Sequence, residues 1–453
     1  MINKCNLVTP IFIFTPEQIT AKNKYRSVHS IQFMIESLME LSSELTKKFG
    51  IPLQCFQGDN NVVLKSLIRD VGADIIGYNQ DFTPYAKTRD DSIRNSIGKA
   101  IRVLSLEDYT LFNFSNGDIN NPNSGEPYRK FTPFYNTFIK LHPYNYNHNC
   151  KALTKTSIAN KFNTSNFESK YGIGLKDIMT KYVGKLFNKD NATTGGRKNG
   201  IKMLNRSLRH QDKYSELRNH LIVDTSRLSS YLKYGCISIR EVYDSWKYQF
   251  GINSDLIRQL YWREFYAYIL YCFPENLGNS MNSKYDRISW SKNKRYLEAW
   301  TTGTTGFPVV DAAMRQLNTT GYMHNRGRLI VASFLVKTLG IDWREGEQYF
   351  AKHLIDYDPA SNNGNWQWVA GSGVDSQPYF RIFNPWSQSK THDPECEYIK
   401  LYVPELENIE PKHIHEWSKY HSNYSNTTSY PKPIVDYSKQ KEIILEKYKR
   451  ALY

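Results

Sequence analysis

Between Leu354 and Trp368 the chain reads Leu-Ile-Asp-Tyr-Asp-Pro-Ala-Ser-Asn-Asn-Gly-Asn-Trp-Gln-Trp, a concentration of groups able to do chemistry. Asp356 and Asp358 place two carboxylates two residues apart. Pro359 follows as a stop to regular structure, three amides surround Gly364, and Trp366 and Trp368 flank Gln367. Two acids with no His and no third acid nearby make a poor metal site. The plain reading is conformational, since Asp-Pro and Asn-Asn-Gly are turn and capping signals and paired Trp more often build cores. A second stretch shifts that balance. Gly321 to Leu329 reads Gly-Tyr-Met-His-Asn-Arg-Gly-Arg-Leu, and helical spacing predicts Tyr322, Asn325, Arg326 and Leu329 on one half-polar face.

Two more groups carry polar chemistry in unexpected company. Thr225-Ser226-Arg227-Leu228-Ser229 brings three hydroxyls and a cation to the start of an expected helix. Free N–H groups and the helix dipole favour an anion there, although a plain N-cap explains the same residues. Gln259, Trp262, Arg263 and Tyr266 fall on one helix face and put an amide, an indole and a guanidinium where a core face would be apolar.

These residues need elements to hold them. Leu7–Phe14, Pro52–Phe56 and Ala73–Tyr78 read as buried strands, with Pro10 marking the start of the first, and Arg102–Phe114 as a last strand and its loop. Helical periodicity at Ser30–Leu45 and Val62–Asp70 alternates with them, which predicts a doubly wound parallel sheet. Ligands bind past the carboxyl ends of such strands, near Asn79, Gln80 and Asp81 here, although a polar loop explains those three as well. Gly117–Gly125 reads as a solvated turn. From Tyr144 to Gly196 the composition turns to Asn, Lys, Thr and Ser, the mark of a linker with a short helix near Leu175–Phe187. Beyond Asn205 helices are expected at Ser207–Asn219, Leu228–Leu232, Ile239–Phe250, Ser254–Tyr271, Val309–Asn318, Tyr322–Leu339 and Trp343–Leu354. The expected division is an α/β domain over 1–143, a linker over 144–205 and an all-α domain over 206–453.

Composition agrees with two domains: 453 residues exceed one ordinary core. A formal charge of +15 suits a polyanionic partner, and 14% aromatic residues supply flat rings for unstacked bases or a flavin. The six cysteines are scattered, without metal spacing, and read as reduced thiols. No apolar run reaches membrane-spanning length, and Leu7–Phe14 lacks a cleavage site, so an intracellular, soluble protein is expected.

In this order the four motifs resemble the DNA photolyase and cryptochrome family, most closely its class I cyclobutane-dimer photolyases, from about Leu7 to the C-terminus. The resemblance implies FAD held by Tyr214, the Thr225 to Ser229 loop (Thr225, Ser226, Arg227, Leu228, Ser229), Arg263, Arg328, Asp356, Tyr357 and Asp358, with Asn362 facing the flavin N5. It implies a lesion pocket walled by Trp262 and Trp368, with Gln259 and Asn325 beside them, and an electron relay through Trp290, Trp343 and Trp366. Arg218, Arg326, Lys390 and Gln388 are then candidates for the DNA backbone, the last two on an expected loop from Asn384 to Lys390.

Departures from the family pattern refine this. Gln259 stands where enzymes for cyclobutane dimers usually carry Glu and where (6-4) photolyases usually carry Gln. Asn325 and Leu329 occupy positions where (6-4) enzymes need His, which favours cyclobutane repair. Tyr322 replaces the more usual Trp, and Gly327 costs its helix about 1 kcal/mol relative to Ala. The family's opening strand and Arg-Asp-Leu-Arg loop have no counterpart before Leu7. The expectation is therefore a light-driven deoxyribodipyrimidine photo-lyase, acting as a monomer on damaged DNA, with FAD and with a folate or deazaflavin antenna in doubt. A cryptochrome-like photoreceptor without repair, or a defective remnant, is the alternative.

Overall fold

The computed structural model describes Cys5, 7–115, 119–141, Pro143 and 170–453; most of the expected linker, Cys150 and part of the expected turn at Gly117 lie outside the described residues. In the N-terminal part, β1 (Ile11–Phe14), α1 (Val28–Phe49), β2 (Gln54–Gln57), α2 (Asn60–Val71), β3 (Ile75–Asn79), α3 (Pro84–Ile97) and β4 (Arg102–Leu106) alternate as expected. Local chemistry sets the helix ends: Ser27 accepts the N–H of Ser30, Asp59 accepts those of Asn61 and Val62, and Gly50 and Gly72 close their helices in the left-handed region.

β1 pairs in parallel with β2, from Ile11 opposite Gln54 to Phe14 opposite Gln57, and β3 pairs in parallel with β4, from Ile75 opposite Arg102 to Asn79 opposite Leu106. Among the described residues the expected single sheet is thus divided into two pairs. The outer edge of β2 is closed by an antiparallel bridge between Phe56 and Gly172.

The chain forms two compact units that interleave in sequence. The first holds Met1–Phe187, Thr193–Asn205 and Leu228–Pro274; the second holds Asn188–Ala192, Arg206–Arg227 and Glu275–Tyr453. In the first, α4 (Phe131–Phe138) and α5 (Leu175–Tyr182) precede α6 (Arg197–His210), which starts in this unit and ends in the second, and α7 (Ile239–Phe250) and α8 (Asp255–Cys272) follow. Rings bind α4 to α8, with centroids 3.6 Å apart for Phe131 and Trp262 and 5.3 Å apart for Phe134 and Phe265. Fully buried Glu264 on α8 accepts the N–H groups of Leu111 and Phe112, both at 3.0 Å. Burial pushes that carboxyl up to about 7 against the pull of those two donors.

The second unit contains α9 (Lys294–Thr302), α10 (Pro308–Thr320), α11 (Asn325–Lys337), α12 (Trp343–His353), α13 (Pro359–Ala370), α14 (Pro385–His392) and α15 (Tyr437–Leu452). Its core gathers Trp300, Met314, Val331, Phe334, Trp343 and Trp366. Gly327 has a packing reason, because a Cβ there would stand 3.1 Å from Met323 Cγ and 3.3 Å from Ala313 Cβ, where α10 and α11 meet. Four local expectations need correction. Tyr322 precedes α11, whose N-cap is His324, so it does not share a helix face with Asn325 and Arg326. Pro359 begins α13 instead of ending structure, since Asp358 caps that helix and proline suits its first turn. The expected loop from Asn384 to Lys390 is α14, begun by the same Asn-Pro logic. The helix expected at Ser207–Asn219 ends at His210, and a separate turn of helix covers Tyr214–Leu217.

Candidate functional site

The second unit contains a cavity of about 100 Å³ between α11, α12 and α13. Asn325, Arg328 and Leu329 line it from α11, and Asp356, Tyr357, Asp358, Asn362 and Trp366 line it from the segment that sequence alone marked as chemical. Helix capping explains how that segment is held. Asp358 Oδ1 accepts the N–H of Ser361 at 2.8 Å, and the helix it begins carries Asn362 and Trp366 one turn apart to the same wall.

Asn362 is oriented by a residue that has no motif. Its Nδ2 donates to the backbone O of Glu347 at 3.0 Å and to Glu347 Oε1 at 2.8 Å. Both amide protons are thereby used, and the carbonyl oxygen remains as an acceptor. Burial pushes the Glu347 carboxyl up to about 7, with Asn362 drawing it down. Across the cavity Arg328 Nη2 pairs with both oxygens of Asp356, at 3.2 and 2.9 Å, while its Nε donates to Met323 O. Tyr322 sits between two guanidiniums, with Arg227 5.1 Å and Arg328 5.5 Å from its ring centre, and its hydroxyl is 3.3 Å from Thr225 Oγ1. Arg227 adopts positive φ and pairs with Asp224.

The Thr225 loop differs from its expected setting. The helix after it, Ser229–Lys233, has five residues and no side-chain cap, Leu228 is core, and Ser229 is exposed. Thr225, Ser226 and Arg227 belong to the second unit, whereas Leu228 and Ser229 belong to the first. Tyr214 lies in the second unit, its ring centre 5.9 Å from the Arg218 guanidinium.

The three relay candidates all join the second unit's core. Trp366 and Trp343 are buried, whereas Trp290 is half-buried and packs on Tyr448 with centroids 6.1 Å apart. Gly346 makes room for Trp366, since a Cβ there would come within 2.1 Å of the indole. The Arg344 guanidinium lies 4.8 Å from the centre of Trp343.

Cations gather elsewhere in the same unit. Burial, then Arg218 and Arg381, hold the Arg326 guanidinium below its usual value, and its Nη2 donates to Asn219 Oδ1 at 2.6 Å. Cations crowded in this way suit phosphates. Lys390 is exposed on α14, on which Gln388 also lies. Arg381, exposed just before that helix, was not singled out in the sequence because a lone Arg carries no signal.

In the first unit Gln259 and Trp262 are half-buried on α8. Phe131 stacks on the Trp262 indole at an interplanar angle of 5°. Arg263 donates to Tyr109 O at 2.9 Å with its guanidinium 3.8 Å from that ring's centre. Trp368 is half-buried in the second unit and is not part of the cavity wall. Sequence reasoning also passed over His324, which is buried and accepts the N–H of Arg326 on Nδ1. Burial, Arg328 and Arg326 push it down to about 4, so it is neutral.

Comparison with known proteins adds the following. Residues 256–450 match a family described as the FAD binding domain of DNA photolyase, and residues 2–152 match the DNA photolyase family. The chain is 33% identical to the deoxyribodipyrimidine photo-lyase of Halobacterium salinarum, over 98% of this chain and 92% of that one. A crystal structure of an archaeal photolyase from Sulfolobus tokodaii with two FAD molecules is similar at TM-score 0.84 and 36% identity, covering 99% of this chain and 94% of that one. A bacterial class III photolyase from Agrobacterium tumefaciens is similar at TM-score 0.86 and 33% identity, covering 99% and 93%.

Proposed function

The chain belongs to the DNA photolyase family, and from that premise we propose how its own residues serve the light-driven repair of cyclobutane pyrimidine dimers. It is an FAD enzyme that acts on damaged DNA. FAD, when bound, supplies the electron that light promotes to the lesion and takes it back after the ring opens.

The observation that carries the reading is the chemistry of the cavity lining, which suits a flavin. Asn362 directs both amide protons to Glu347 and keeps its carbonyl oxygen as an acceptor. An acceptor of that kind suits a reduced flavin, whose N5 bears a hydrogen, and adds no charge beside it. Arg328, held by Asp356, and Asp358 at the start of α13 line the same cavity and would hold the cofactor's polar portions. Trp366 closes the wall and, with Trp343 and Trp290, would return electrons to an oxidised flavin.

The substrate class follows from what the wall can donate. Asn325 and Leu329 line it and, among the described residues, no imidazole does, while His324 is buried, neutral and occupied as a helix cap. Opening a cyclobutane ring needs an electron and no general acid, so this wall suits that lesion. An indole stacks an extruded base at roughly 1 to 3 kcal/mol, against an unstacking cost of a few kcal/mol, and Trp262 and Trp368 are each candidates for that role. Arg218, Arg326 and Lys390 would hold phosphates without reading sequence. The test is repair by chemically reduced protein of DNA carrying either cyclobutane or (6-4) lesions, in light and in darkness. Light-dependent loss of cyclobutane dimers alone is expected. Repair of the (6-4) lesion alone would overturn the substrate assignment, and no repair of either would favour a photoreceptor.

A further inference from the structure

We propose that Lys337 and Ser333, one turn apart on α11, are positioning residues for Arg381 and hold its guanidinium where a DNA phosphate meets it beside Arg326. This role rests on the reading of Arg218 and Arg326 as phosphate contacts.

Lysine is seldom fully buried. Lys337 is 1% exposed at the end of α11, and burial, followed by the Arg381 guanidinium, pushes its amine down to about 7. An apolar side chain of similar volume would fill the same space without that penalty. What the amine does there is donate from Nζ to the backbone O of Arg381 at 3.0 Å. Protonated or neutral, it keeps a hydrogen for that bond. Ser333, 2% exposed and one turn earlier on the same helix, accepts the N–H of Phe383 on Oγ at 3.2 Å. Two buried side chains of one helix face therefore fix the backbone on both sides of Ile382.

The segment they hold joins α13 to α14 and is itself neither helix nor strand. It turns at Pro378, whose O accepts the N–H of Arg381 at 3.0 Å. Tyr379 stacks on Tyr448 of α15 at an interplanar angle of 9° with centroids 6.0 Å apart, and Ile382 packs into the same cluster. Its backbone is thus anchored inward while the Arg381 side chain stays exposed, with no hydrogen bond or ion pair among the described residues. A cation on an anchored backbone loses less freedom when it binds. The charge of Arg381 also reaches Arg326, which it and Arg218 hold below the usual value. Like charges gathered in this way gain when a phosphate arrives. Because α11 also carries Asn325, Arg328 and Leu329 into the cavity, one helix sets both the cavity wall and the place of Arg381. The DNA backbone is thereby registered against the cavity.

The test is binding of dimer-containing DNA by the full-length, FAD-loaded protein over a range of salt. Arg381→Ala and Lys337→Met should each weaken binding about tenfold and flatten the salt dependence by about one unit, and the double variant should be flatter by about one unit and not two. Ser333→Ala, which alters no charge, should weaken binding by about threefold. Lys337→Met should melt no lower than the parent, because it removes a buried amine and keeps its volume. Its half-saturating DNA concentration should rise while the repair rate at saturating DNA falls by less than about twofold. An unchanged salt slope in Lys337→Met, with or without a lower melting temperature, would assign the residue to packing and overturn the proposal. A double variant flatter by two units, or Arg381→Ala protein that binds as the parent does, would overturn it as well. If Arg218→Ala and Arg326→Ala proteins bind as the parent does while the effects at Lys337 and Arg381 hold, only the reading of those two arginines falls.

Discussion

Glu347 is one of the buried acids whose environment has been shaped at the level of single atoms. Its folded-state carboxyl is raised to about 7 from an ordinary 4.5, chiefly by burial, so the folded protein holds a proton that the unfolded chain releases earlier. Stability from this group is complete below the unfolded value and is lost as pH rises through about 7. Glu347→Gln removes the titration and should reduce, by on the order of 1–3 kcal/mol, the stability lost between about pH 5 and about pH 8. Urea unfolding of both proteins across that range checks it, and parallel curves would show that Glu347 is not the group responsible. For Trp366→Phe, photoreduction of oxidised flavin should slow more than tenfold while repair by chemically reduced protein changes far less; equal losses would mean that the indole matters for packing. On the DNA side, Arg326→Ala should flatten the dependence of log affinity on log salt by about one unit. An unchanged slope would place the phosphate contact on other cations.

At the scale of elements, the cavity depends on how closely α12 approaches α13. Gly346 faces Trp366 with no room for a methyl group, and Asp358 begins the helix that carries both Asn362 and Trp366. Gly346→Ala should therefore cost about 1–3 kcal/mol through overpacking and lower the flavin content of purified protein. Asp358→Ala removes a helix cap at about 1 kcal/mol. Any loss of flavin beyond that small change in stability would separate a direct cofactor contact from capping. Gly327 follows the same logic between α10 and α11, where the helix penalty expected from glycine is exchanged for close packing.

At the scale of the whole molecule, the two strand pairs matter most. Among the described residues β1 pairs with β2 and β3 with β4 in separate two-stranded sheets, which hold less firmly than a wider sheet. The second unit has a continuous core of its own. Heating should then give two transitions, the first in the unit that contains the strands, and FAD should be retained without a stoichiometric antenna pigment. Calorimetry together with pigment analysis of the purified protein decides this. One cooperative transition with a full second pigment would show that the paired strands suffice.

Much of this was legible in order and type. The spacing of Gln259, Trp262 and Arg263 placed them on one helix, Ile239–Phe250 forms as periodicity predicts, and the residues from Asp356 to Trp366 line a cavity together. Local pattern suffices there because helix faces repeat every few residues and caps are set by immediate neighbours. Where Asp-Pro or Asn-Pro stood, the same local signals were read as stops although proline equally begins helices, and only the backbone distinguishes the two. Long-range contacts were not legible at all. Glu264 meets Leu111 and Phe112 about 150 positions away, and this helps to bind α8 to the unit of the strands; Glu347 orients Asn362 from another helix, and Trp300 reaches Trp366 across the core. A single glutamate or tryptophan in an ordinary helix carries no motif, because its role is decided by whatever packing brings to it from elsewhere in the chain.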